Sequence, residues 1–173
     1  MSKDGVAKGT VAREPGTSVP ETELLARYTA LLEGSLTLTK HGSWVHEGVP
    51  FSNPKVSDLF HRSVVWDTER KCPVVRLGAQ QATFTCEDTP YFVAALRTDT
   101  MPWRIVLAGG SEEPLVPESI SIGNEEQFYC RAKGTFRARF MRAAHQSLLE
   151  YVVDENTLRI GEALVHPRRE PGV

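Results

Sequence analysis

The sequence predicts an α+β protein with mainly antiparallel sheets, and three observations carry that prediction. Apolar stripes at helical spacing are few, and runs with strand-like alternation are many. The two kinds do not alternate one for one, as a parallel doubly wound sheet requires. The 173 residues are 40% hydrophobic and 24% charged, enough for a buried core and too apolar for wholesale disorder. That length suits one ordinary domain or two small ones.

The elements follow in order. Residues 1–17 mix Gly5, Gly9, Pro15 and Gly16 with charges and read as a tail. Ser18-Val-Pro-Glu21 has capping-box form, and Leu24, Leu25, Tyr28, Leu31 and Leu32 continue at helical spacing to a stop at Gly34. Leu36–Thr39 and Trp44–His46 flank Lys40-His-Gly-Ser43, a hairpin with Gly42 at positive φ. Asn53-Pro54 opens a second helix with Val56, Leu59, Phe60, Ser63 and Val64 on its apolar side. Val74, Val75 and Leu77 mark a strand. A further strand is expected over Ala82–Cys86, with Ala82, Phe84 and Cys86 on one face.

The second half repeats this theme loosely. Tyr91–Leu96 and Trp103–Ala108 read as strands, and Gly109–Pro114 as a loop. Ile120 with Ile122, and Phe128 with Cys130, mark two more strands. Thr135 is expected to cap a long helix carrying Phe136, Phe140, Ala143, Ala144, Ser147, Leu148 and Tyr151 on one side. Thr157–Val165 is expected as a last strand, and 167–173 as a tail.

Composition narrows function. A net charge of −2 argues against non-specific binding to duplex nucleic acid, which takes a concentrated basic surface. No apolar run approaches the roughly 18–20 residues that span a bilayer, so no membrane role is expected. The first residues lack the apolar core of a signal peptide, which makes the cytoplasm the expected compartment. Cys72, Cys86 and Cys130 form no Cys-x-x-Cys pair and no disulfide framework. His41, His46, His61, His145 and His166 are scattered, so no metal site and no cofactor is expected. Gly109-Gly110 starts no phosphate-binding loop, Ser111 lacks a nucleophile elbow, and no catalytic set is assigned. Asp88, before Thr89-Pro90, reads as a turn residue. Its neighbour Glu87 points to the opposite face of a strand, so the two carboxylates cannot clamp one bond.

The basic cluster is the most informative feature. Arg131 and Lys133 fall on a strand, and Arg137, Arg139 and Arg142 on the expected helix, where Arg139, Arg142 and Gln146 form a stripe. Two readings stay open: long stems covering a solvated face, or guanidinium forks holding an anion.

Three stretches in register resemble one bacterial family, domain of unknown function 1285. They are Gly42-Ser-Trp-Val-His-Glu-Gly-Val-Pro50 with Leu59-Phe60, Phe84-Thr-Cys-Glu-Asp-Thr-Pro-Tyr-Phe92, and Tyr129-Cys-Arg131 leading into Gly134-Thr-Phe-Arg-Ala-Arg-Phe-Met-Arg142. The chain departs from the family at Ala79-Gln-Gln81, where an acidic residue after Thr-Pro is usual, and at Tyr91, where Phe is usual. The resemblance implies two related α+β units, here 18–90 and 91–166, the second pleckstrin-homology-like. It also implies a binding groove between them and a nucleotide-like ligand in a signalling role. By position it carries Trp44, His46, Asp88, Arg131, Arg139 and Arg142 into that groove. Trp44 or Tyr91 would then stack a base, and Arg139 and Arg142 would pair with phosphate. A protein–protein adaptor is the alternative, and a hydrolase using Asp88 with His46 stands behind both.

Overall fold

The structure is a computed structural model that describes residues 35–170; the helix expected from Ser18 onward and the tail at 1–17 lie outside the described residues. It begins with the expected hairpin, β1 (Leu36–Leu38) against β2 (Trp44–His46). Gly42 turns this hairpin at φ +82°. Glu47 and Gly48 both take positive φ, the two-residue geometry that suits a tight antiparallel return, and so lead into β3 (Val49–Pro50). Helix α1 (Pro54–Ser63) starts where Asn53 Oδ1 accepts from the Lys55 amide, with Pro54 in the first turn. β4 (Val64–Asp67), β5 (Cys72–Leu77) and β6 (Gln80–Thr83) then form a three-stranded meander.

The expected single strand Ala82–Cys86 is two strands. β6 ends at Thr83, and β7 (Thr85–Cys86) leaves to pair parallel with β1. The alternation survives on each side, but Phe84 is the point at which the chain changes sheets. Every strand from 36 to 86 belongs to this meander or to the sheet β3-β2-β1-β7.

The second group is built on β8 (Tyr91–Arg97), β9 (Arg104–Leu107), β10 (Glu112–Pro114), β11 (Ser121–Ile122), β12 (Phe128–Ala132), β13 (Phe136–Phe140) and β17 (Arg168–Arg169). They form one sheet in the order β10-β9-β8-β13-β12-β11-β17, antiparallel except at β8·β13 and β11·β17. Helix α2 (Arg142–Leu149) follows β13. The strands β14 (Val152–Asp154), β15 (Thr157–Ile160) and β16 (Ala163–Val165) make a small separate sheet. The expected last strand is thus a hairpin turned at Gly161 (φ +62°), the 109–114 loop contains β10, and part of the expected tail is β17.

The long helix from Thr135 is corrected. Residues 136–140 are a strand, and only 142–149 are helical. Lys133 and Gly134 have positive φ and turn β12 into β13. Phe136 and Phe140 lie four apart and fit a helix, but Phe136-Arg-Ala-Arg-Phe140 also alternates strictly, and a run this short fits both periods. Tertiary pairing decides it, because β13 is bonded on both sides, to β12 and β8.

Burial is continuous across both groups of strands. One cluster contains Leu36, Leu38, Trp44 and Phe60 together with Phe92, Ile105, Phe140, Leu148 and Leu158. The fold is α+β, as the sequence predicts. Among the described residues no helix is long and apolar enough to cross a membrane.

Candidate functional site

The site follows from the register of β12 and β13. Tyr129 lies opposite Arg139, and Arg131 opposite Arg137, so these four side chains share one face of the sheet. Cys130, Ala132, Phe136 and Ala138 take the other face and enter the core. Across the parallel pair with β8, Phe92 falls beside Arg139 on the polar face. Phe92 is nevertheless buried, because the β1–β2 turn seats on it: a Cβ added at Gly42 would stand 3.1 Å from the Phe92 ring. That close approach brings the hairpin turn next to Arg139.

Asp88 is the hub of the polar face. Its carboxylate accepts from the Tyr129 hydroxyl at 2.8 Å, Arg139 Nη1 at 2.9 Å and Arg137 Nη1 at 3.3 Å. The Thr89 hydroxyl donates to the Arg137 carbonyl and pins the turn that carries Asp88. The Arg137 guanidinium lies 3.4 Å from the Tyr129 ring centroid, and its Nη2 reaches Glu170 at 2.6 Å. Arg139 Nη2 donates to Gln127 Oε1 at 3.3 Å, while Gln127 Nε2 bonds the Phe140 carbonyl and His145 Nδ1. Burial first, then the bond to Asp88, raises the Tyr129 phenol above its ordinary value. Burial, helped by the Arg139 charge, lowers His145. Both shifts favour the neutral form, beside two fixed guanidiniums.

A recess of about 290 Å³ opens at the edge of this network. Lys40 and His41 come to it from the hairpin turn, Gln127 from the residue before β12, Arg139 from β13, and Arg142 and His145 from α2. No carboxylate lines it. Helix α2 begins there with no side-chain cap and no acidic residue in its first turn, which leaves its positive end uncompensated. Lys40 Nζ meets Glu125 at 3.6 Å in an exposed pair of little energetic weight, and the Lys40 amide donates to Glu87 Oε2 at 2.9 Å. Among the described residues Arg142 has no ion pair or side-chain hydrogen bond.

The predicted residues are only partly brought together. Arg139 and Arg142 share the recess, and Asp88 adjoins it through Arg139. Arg131 lies in a separate recess with Arg137 and Arg168. Trp44 is 1% exposed, with its ring edge-on to Phe60, His61 and Phe84, so it offers no open face for stacking. Tyr91 is also buried, against Phe136, with its hydroxyl 3.5 Å from the Val64 carbonyl. His46 lies beside Phe51 and its Nε2 has no partner. With Asp88 held by two arginines and a tyrosine, the Asp88–His46 base pair has no geometric support. Among the described residues no group of three or more His, Cys, Asp or Glu is placed to hold a metal ion.

Sequence reasoning missed Lys40, His41, Gln127, Tyr129 and His145. The signal for Tyr129 was available: the Lys133-Gly134 turn makes 128–140 a hairpin, and counting outward from it pairs Tyr129 with Arg139.

No family model matches the chain, and no curated protein matches it in sequence. Two crystal structures are similar to it. A DUF1285 family protein from Shewanella baltica OS155 aligns with a TM-score of 0.53 and 11% identity, covering 67% of this chain and 91% of its own. A DUF1285 family protein from Silicibacter pomeroyi DSS-3 aligns with a TM-score of 0.58 and 10% identity, covering 79% of this chain and 80% of its own. The resemblance read from the three sequence stretches thus meets a structural one: over most of its length, this chain has the fold of DUF1285 family proteins.

Proposed function

We propose that the chain is a non-enzymatic binding module for a small anionic ligand, nucleotide-like in bearing a phosphate, held between the β1–β2 turn and the start of α2. The observation that carries this reading is the convergence of Lys40, His41, Arg139, Arg142 and His145 on one recess without a carboxylate in its wall. Arg139 is fixed by Asp88 and Gln127, whereas Arg142 is uncommitted; one guanidinium organises the site and the other is free to pair with the ligand. The recess sits at the small end of ligand pockets, so it takes the anionic group, and the rest of the ligand extends over the exposed His41. The two units at 18–90 and 91–166 are proposed on the same grounds, since each supplies one wall.

Thermal unfolding against a panel of nucleoside mono- and diphosphates tests this. A ligand present at about 100 times its Kd adds roughly 2.7 kcal/mol to stability. Arg142→Gln is expected to keep the unliganded stability and lose that gain. Absence of stabilisation by every member contradicts the reading.

A protein partner is the second reading, favoured by Leu149, Val152, Val153 and Leu164, which stand 41–57% exposed near the end of α2 and on the β14–β16 sheet. It predicts concentration-dependent association that Val153→Lys with Leu164→Lys abolishes while the ligand-induced gain stays.

A further inference from the structure

The C-terminal strap presents a second built site. β17 is held on β11 by a two-residue parallel pairing, continued by the Glu170 amide donating to the Ile122 carbonyl at 2.8 Å. The strap delivers the Glu170 carboxylate into a recess of about 370 Å³ whose wall includes Arg131, Arg137, Arg168, Ser119 and Ser121. One oxygen of Glu170 accepts from the buried Ser121 hydroxyl at 2.6 Å, and the other meets Arg137 Nη2 at 2.6 Å. A carboxylate gripped at both oxygens by a hydroxyl and a guanidinium shows what this recess is shaped to hold.

Its charge is not balanced by that carboxylate. Three guanidiniums line it with Glu170 and Glu118, and one of them, Arg137, also pairs with Asp88 at 3.3 Å. Among the described residues the side chains of Arg131 and Arg168 make no ion pair. Arg137 Nε is enclosed beside the Tyr129 ring without a hydrogen-bond partner, so the open donors of the recess are those of Arg131 and Arg168. A dianion with three or more oxygens would satisfy more of these donors than one carboxylate does.

We infer that the Arg131–Arg137–Arg168 recess is a binding site for a phosphate dianion or phosphate monoester, occupied in the free protein by Glu170 as a tethered substitute. It is separate from the recess at Arg142, so either can stand without the other. Ligand entry displaces Glu170 from Ser121 and Arg137 and frees the strap at residue 170, while Arg168 keeps β17 on the ligand.

Hydrogen exchange with inorganic phosphate tests this on the unaltered chain. The Glu170 amide, which donates to the Ile122 carbonyl, is expected to exchange at least about tenfold faster at saturating phosphate than in chloride of equal ionic strength, and acetate is expected to match chloride. The same acceleration is expected in Lys40→Gln/Arg142→Gln and is lost in Arg131→Gln/Arg168→Gln. Glu170→Gln, which removes the internal competitor and keeps its shape, is expected to bind phosphate about tenfold more tightly. Unchanged protection of the Glu170 amide, an effect that survives loss of Arg131 and Arg168, acetate acting as well as phosphate, or equal affinity in Glu170→Gln would each overturn the assignment.

Discussion

Asp88, Tyr129 and Arg139 form a mutually bonded trio with the arginine and aspartate side chains 11% and 14% exposed. In that setting a hydrogen bond to a charged partner contributes more than a neutral one, and its loss leaves the partner poorly solvated. Tyr129→Phe removes only the hydroxyl, and the expected cost is about 1–2 kcal/mol in urea unfolding; a smaller loss than about 0.5 kcal/mol means that water replaces the bond. His61 gives the pH dependence. Its Nε2 bonds the Gly42 carbonyl at 3.0 Å, and burial, its largest influence, lowers its pKa below the ordinary 6.5. The folded protein therefore takes up this proton at lower pH than the unfolded chain. Its contribution is complete above the unfolded value and declines as pH falls through 6.5, at up to about 1.4 kcal/mol per pH unit. His145, lowered by burial and the Arg139 charge, adds a change of the same sign. Denaturant midpoints between about pH 8 and pH 5.5 are expected to fall, and His61→Gln is expected to flatten the slope. An unaltered slope in that variant means that His61 is not the group responsible.

At the scale of elements, β13 decides the site. Read as a helix, residues 136–142 place Arg139 and Arg142 on one stripe and Arg137 in the apolar arc. Read as a strand, they put Arg137 and Arg139 side by side over Tyr129, and Arg142 on the helix beyond. Both periods fit five residues. Pairing with β12 and β8 makes the choice, and the Lys133-Gly134 turn at positive φ returns the chain onto β12. Helix α1 was legible because its start is local chemistry, an Asn cap and a proline, that needs no partner. The break at Phe84 was not, because leaving one sheet for another depends on β1, which lies far away in sequence. Register makes the strand assignment testable. Arg131 and Arg137 are direct cross-strand partners, so Arg131→Cys/Arg137→Cys is expected to close an intramolecular disulfide. Arg131→Cys/Ala138→Cys points its thiols to opposite faces and is expected to stay reduced. Alkylation followed by mass spectrometry distinguishes them, and failure of the first pair to close contradicts the β12–β13 register.

At the scale of the whole molecule, the hairpin and the seven-stranded sheet meet where Gly42 packs on Phe92. That contact buries Trp44 and Phe92 in one core and leaves Lys40 and His41 facing Arg142 across a recess. The sequence made the hairpin and the arginines visible, and suggested that they approach one another. It could not show that Trp44 faces inward, because a Trp on a half-buried strand serves equally as core or platform. Nor could it separate Arg131 from Arg139, which are eight residues apart and differ in neighbours only once β11, β17 and α2 are in place. The most direct test is a titration of the isotope-labelled chain with adenosine monophosphate, followed residue by residue in NMR spectra. Shifts concentrated in amides 40–42 and 142–145 and in the Arg142 side chain, and lost in Arg142→Gln, are the expected result. Saturable shifts centred elsewhere, or none at millimolar ligand, contradict a recess built to receive an anion.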